Sequence, residues 1–137
     1  MRRRSGYLGA VSPSLLAEYE ATLLAMHECR VETGRRPTKW NRLADRLQAL
    51  HLQLRDSPEG RVGISALISH PNETVRSHAA AHALFWDEPV ARAELERLAG
   101  GHGLVAVTAK YTLLEYDAGR LIPTWRHSGK RRPHSRR

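Results

Sequence analysis

The sequence predicts an all-α protein of about six helices in three antiparallel pairs, and three observations carry that prediction. Apolar residues recur at spacings of three and four along most of the chain, the period of one helix face, and no segment sustains the two-residue alternation of a strand. Leu and Ala, both strong helix formers, supply most of the apolar content, while aromatic residues make up only 6%. The pattern that begins at Pro58 begins again at Pro89, 31 residues later.

At 137 residues the chain is long enough for one ordinary core. Its 41% hydrophobic and 26% charged residues give a globular balance. The predicted domain covers 12–125, between a flexible basic N-terminus at 1–11 and a disordered basic tail at 126–137.

Ser12-Pro13 reads as a cap and first-turn proline for the first helix, whose stripe is Leu16, Tyr19, Leu23 and Met26. Gly34 and Pro37 end it near residue 33. Thr38 is the expected cap of the second helix, which carries Trp40, Leu43, Leu47, Leu50 and Leu54. These two long helices share a short loop and should pair. Ser57-Pro58 starts the third helix, with Ile64, Leu67 and Ile68 inward and a stop at His70-Pro71. Asn72 caps the fourth, expected to run from Glu73 to about Trp86 through Ala79-Ala80-Ala81. Asp87-Glu88-Pro89 opens the fifth, with Ala91, Leu95 and Leu98 buried. After the breaker Gly100-Gly101-His102-Gly103, the sixth shows Leu104, Val107, Tyr111 and Leu114 as its stripe, and Gly119 stops it. Leu121, Ile122 and Trp125 are expected to fold back onto this last helix.

The 31-residue shift lays Arg61 on Arg92, Ile64 on Leu95, Leu67 on Leu98, Val75 on Ala106 and Ala83 on Leu114. Two successive hairpins with aligned buried positions predict a stacked α-solenoid, with the long first hairpin as a cap. Within the repeat, His70-Pro71-Asn72-Glu73-Thr74-Val75-Arg76, followed by Ala79-Ala80 and Ala83-Leu84, resembles the turn and second helix of a HEAT repeat. Lys39-Trp40-Asn41-Arg42-Leu43 and the stretch from Thr112 to Leu121 are similar to segments of DUF2019, an uncharacterised family of small bacterial HEAT-like proteins. The resemblance covers roughly residues 38–122. It implies a HEAT-like α-α superhelix of the armadillo-repeat kind, and no established activity.

No constellation of catalytic residues emerges. His78 and His82 have the four-residue spacing that can place two imidazoles on one metal, but Ala79 stands where a zinc protease needs Glu, and no third ligand is placed. They read as polar residues flanking an Ala-rich buried stripe. Cys29 and His27 are two apart and point to different faces of a helix. The glycine-rich stretch at 100–103 lacks the Lys-Ser/Thr of a phosphate loop and the strand that precedes a dinucleotide site. The chain is therefore expected to be no enzyme and to hold neither metal nor cofactor. A lone cysteine suits a reducing compartment, and no apolar run reaches the roughly 20 residues needed to span a bilayer, so a cytoplasmic protein without a membrane partner is expected.

Binding to a protein is the leading reading, as an adaptor or an immunity-type inhibitor. In a solenoid the second helix of each pair lines the groove. Helices two, four and six should do so here, with Lys39, Asn41, Arg42, Arg76, His78 and His82 as its polar residues. For Arg76 the simpler role is a bridge between helices.

The net charge of +8 raises the alternative of nucleic acid. Three Arg lie in 1–4 and six basic residues, Arg126, Lys130, Arg131, Arg132, Arg136 and Arg137, in 126–137. The remaining 13 Lys and Arg face all 14 Asp and Glu, so the body carries about −1 and the ends +9. A folded nucleic-acid-binding face would carry its own positive charge. Affinity for DNA or RNA should therefore reside in the tails and fall steeply with salt. Titration of the full chain and of residues 5–125 at two salt concentrations checks this. Equal affinity and equal salt slope for the shortened chain would show the opposite.

Overall fold

Helices here start where the sequence either satisfies the first backbone amides or dispenses with them. The computed structural model describes residues 13–33 and 37–122. Among them are six α-helices and no strand: α1 Pro13–Thr33, α2 Pro37–Arg55, α3 Pro58–Ala66, α4 Glu73–Ala83, α5 Glu88–Ala99 and α6 Gly103–Asp117. A short 3-10 turn, Leu67–Ser69, links α3 to α4. Ser12 lies outside the described residues.

The caps of α3 and α4 form as the sequence suggests. Ser57 Oγ accepts from the Gly60 amide, and Asn72 Oδ1 accepts from the amides of Thr74 and Val75. Three boundaries differ from expectation. Helix α2 begins at Pro37, so Thr38 lies inside its first turn, because proline needs no amide partner and its φ is preset for the helix. The α-helical part of α4 ends at Ala83, and Phe85 and Trp86 donate three residues back, to His82 and Ala83 carbonyls, in a tightened final turn. Asp87 heads α5 without a side-chain cap bond. Gly119, at φ 76°, closes α6 in the left-handed region open to glycine.

One core joins all six helices. It includes Tyr19, Leu23 and Met26 of α1, Leu47, Leu50 and Leu54 of α2, Ile64 and Ile68, and Ala91, Leu95 and Leu98 of α5. Leu16, Trp40, Leu43 and Leu67 pack against it from partly buried positions. Helix α4 sits in the middle with Val75, Ala79, Ala80 and Ala83 fully buried. It is packed by α1 and α3 on one hand and by α5 and α6 on the other. Helix α2 lies against α1 and α3. The expected row of second, fourth and sixth helices therefore does not form, since α1 is the helix of the first hairpin that packs along α4. Between α2 and α3 the chain turns so tightly that a Cβ on Gly60 would overlap the Leu54 carbonyl group.

The face of α6 is a correction. Leu104, Val107, Tyr111 and Leu114, the expected buried stripe, are 61%, 47%, 60% and 54% exposed. The buried side is Val105, Ala106 and Ala109, with Leu113 and Tyr116 partly buried against the core. Helix α6 is apolar around most of its circumference, and only one side has neighbours. The side with the smaller residues packs closest, because short side chains let helix axes approach. Leu121 joins the core, Ile122 is exposed, and Trp125 lies outside the described residues.

These assignments separate two leucines that the spacing alone treats alike. Leu47→Ala should cost about 2–5 kcal/mol through lost burial and a residual cavity. Leu114→Ala should stay within about 0.5 kcal/mol, as an exposed substitution to a good helix former. Chemical denaturation of both variants checks the pair, and equal losses would place Leu114 in the core after all.

Candidate functional site

The polar residues that sequence reasoning selected are placed in three different settings. Lys39 and Arg42 are exposed on the first half of α2, with Asn41 partly buried beside them. Arg76, at the start of α4, is a structural tie. Its Nη1 donates to the carbonyls of His70 and Pro71 at 3.0 and 2.8 Å, and its Nε donates to Glu94 on α5 at 3.1 Å. One guanidinium thus holds the α3–α4 turn, α4 and α5 together. His78 donates from Nδ1 to the Thr74 carbonyl one turn back, 3.0 Å away.

His82 turns inward, into a buried polar cluster where α1, α2 and α4 meet. Its imidazole stacks on His51 of α2, with ring centroids 3.7 Å apart and planes 5° from parallel. Its Nδ1 lies 2.7 Å from the Tyr19 hydroxyl of α1, with which it shares a hydrogen bond. Tyr19 and His51 are both completely buried. Trp86 stacks beyond His51 at 6.4 Å and donates through Nε1 to Ser65 on α3.

The bonding of His51 fixes its chemistry. Its Nδ1 is 3.2 Å from Gln48 Oε1, an amide oxygen that only accepts, so Nδ1 carries the hydrogen. In the neutral ring Nε2 is then a bare acceptor, and it is buried with no hydrogen-bond partner. Protonation would create a second N–H with no acceptor in reach. Burial first, and then the nearby Arg55 guanidinium, push the His51 pKa down to about 4. The His82 pKa is also held well below the usual imidazole range, by burial and then by His51 and His78. Burial pushes the Tyr19 phenol up, so it stays protonated.

This geometry suits packing better than metal binding. Imidazole lone pairs lie in the ring plane, and in two parallel rings 3.7 Å apart they run side by side. A metal in the plane of one ring at a bond length of about 2 Å lies outside the plane of the other. Among the described residues no group of three or more His, Cys, Asp or Glu could hold a metal. Nor is any helix there long and apolar enough to cross a membrane.

No protein family and no curated protein matches the sequence. The fold is nevertheless a known one. The chain is similar to the crystal structure of the protein RPA1889 from Rhodopseudomonas palustris CGA009, with a TM-score of 0.74 and 22% identity over 84% of this chain and 95% of that one. At that identity the likeness concerns the helical fold alone.

Two features escaped the reading of the sequence. His51 lies four residues after Leu47 and three before Leu54, so helical spacing alone marks it as a polar residue on the buried face. The exposed apolar side of α6 had no such signal, because both of its faces are apolar. The six basic residues from Arg126 to Arg137 lie outside the described residues.

The cluster makes stability depend on pH in one direction. His51 takes a proton near its ordinary value of 6.5 in the unfolded chain and near 4 in the folded one. Between those values the unfolded state binds more protons, so stability rises with pH. Unfolding free energy should therefore fall as pH drops from 6.5 to 4, with His51 contributing on the order of 3 kcal/mol and His82 acting in the same sense. Denaturation series across this range check it. In His51→Leu the slope should shrink, and an unchanged slope would remove His51 from the account.

Proposed function

We propose that this chain is a non-catalytic protein-binding module of the cytoplasm, an adaptor or immunity-type inhibitor. In this reading it is built as a short HEAT-like α-solenoid related to the DUF2019 family. The observation that supports it is the exposed stripe of α6, where folding leaves Leu104, Val107, Tyr111 and Leu114 in water along one helix face. Single exposed apolar residues are ordinary on soluble proteins, but a contiguous row rimmed by polar residues marks an interaction surface. The polar residues Lys39, Asn41 and Arg42 on α2 belong to a second, separate face, and Arg76 and His82 are taken up by internal contacts. Nucleic-acid binding through the tails is a second reading, supported by the charge division between the near-neutral body and the basic ends.

Leu104→Glu tests the surface while sparing the fold. Leu104 is exposed in the first turn of α6, where a carboxylate also interacts favourably with the helix dipole. The thermal midpoint should hold, while association with a protein partner should weaken about 10-fold or more, a change of about 1.4 kcal/mol. Co-purification from the native host reads a different protein as partner, and light scattering of the pure chain reads association with a second copy. A partner retained at full affinity by Leu104→Glu would place the binding surface elsewhere.

A further inference from the structure

The 31-residue repeat accounts for half of the stripe, since Leu104 and Val107 fall on the polar Glu73 and Arg76. It lays Tyr111 on Ala80 and Leu114 on Ala83, and those two α4 positions are fully buried by the neighbouring helices. At Tyr111 and Leu114 the exposed side of α6 thus occupies positions that are buried one repeat earlier. Terminal repeats ordinarily carry a polar outer face. Here the equivalent positions carry Tyr and Leu in place of Ala, which offers more apolar area and not less.

The segment 123–137 is ill suited to cover this face. The 15 residues after Ile122 include six Lys or Arg and one large apolar residue, Trp125. Burying that segment on an apolar helix would desolvate charge without a partner.

The spacing of the stripe fits another copy of itself. Steps of three, four and three read the same in both directions, with their midpoint on the exposed face at the level of Ala109, whose own side chain points to the core. Two α6 helices packed antiparallel about a two-fold axis there would set Leu104 against Leu114 of the second copy. Val107 would face Tyr111 of the second copy in the same way. No charged residue interrupts the row. An isologous interface needs one self-complementary patch, and this patch satisfies that requirement.

We propose that the α6 stripe is covered by a second copy of the chain, as an antiparallel α6–α6 pair. This rests on reading the stripe as a protein-binding surface and names its occupant. The full chain is predicted to be a dimer in solution. Val107→Glu and Tyr111→Lys should each give monomers with unchanged circular dichroism and thermal midpoint at matched low concentration, since both residues are exposed within one chain. Mixing the two variants should restore dimers, because Val107→Glu then faces Tyr111→Lys across the two-fold.

Sedimentation equilibrium on the wild type, each variant and their mixture is the test. A wild type that stays monomeric at millimolar concentration overturns the proposal, as does a dimer that survives Val107→Glu. If the monomer instead binds a different protein from its host, and Val107→Glu abolishes that binding, the second copy is wrong and the binding surface is right. If neither self-association nor any partner responds to these substitutions, the binding reading of α6 falls with it.

Discussion

Helix α4 is packed from two sides, by α1 and α3 and by α5 and α6, and its own side chains make this possible. Ala79, Ala80 and Ala83 bury completely while filling almost no space. Helices can then approach closely on both flanks, and the larger residues that complete the core come from their neighbours: Tyr19 and Leu23 from α1, Ile64 from α3 and Leu95 from α5. A leucine at any of the three alanine positions would press one of these neighbours outward, since well-packed interiors accommodate extra methylenes poorly. The arrangement of the whole stack follows from this slender centre.

A slender centre also shapes the polar interior. Beside its apolar core residues, the first hairpin reaches α4 through polar side chains: Tyr19 and His51, which meet His82, and His27, whose Nδ1 meets Thr74 Oγ1 at 2.8 Å. His70 extends the seam, since its Nδ1 accepts from the Asn72 amide and its Nε2 donates to Glu20 of α1. Directional bonds of this kind accept only one register between α1 and α4, whereas an apolar seam would tolerate sliding. The orphaned Nε2 of His51 is the cost of fitting an imidazole into that seam. On the other flank of α4, Arg76 and Glu94 do similar work toward α5, and Tyr116 bonds the Leu84 carbonyl and Glu88 to hold α6.

Most of the fold is legible in the sequence because its signals are local. Ser57-Pro58, Asn72 and Gly119 act through their own backbone neighbourhoods, and each is found where its chemistry places it. The buried stripes of α2 and α5 are legible because each helix has a single apolar face, and that of α1 because its large residues Tyr19, Leu23 and Met26 keep the spacing of one face. Helix α6 has two, and nothing within Gly103–Asp117 tells which one meets α4; that is decided by the width of the gap beside a distant run of alanines. The choice of α1 over α2 as the neighbour of α4 is likewise a tertiary fact, carried by residues as far apart as Tyr19 and His82. The same distance hides the site. His82 looks like a groove residue by its spacing from His78, and it becomes an interior one only because His51 and Tyr19 wait on other helices.

The tight turn at Gly60 and the open end at α6 make the two ends of the stack unlike each other. At one end α1 and α2 close over α3 and α4, with Gly60 so near the Leu54 carbonyl that a Cβ there would overlap it. At the other, the outer face of α6 carries an apolar row, and its Tyr111 and Leu114 stand where α4 has the buried Ala80 and Ala83. Gene duplication of a single hairpin, from Pro89 to Gly119, would add a unit next to an apolar surface already in place.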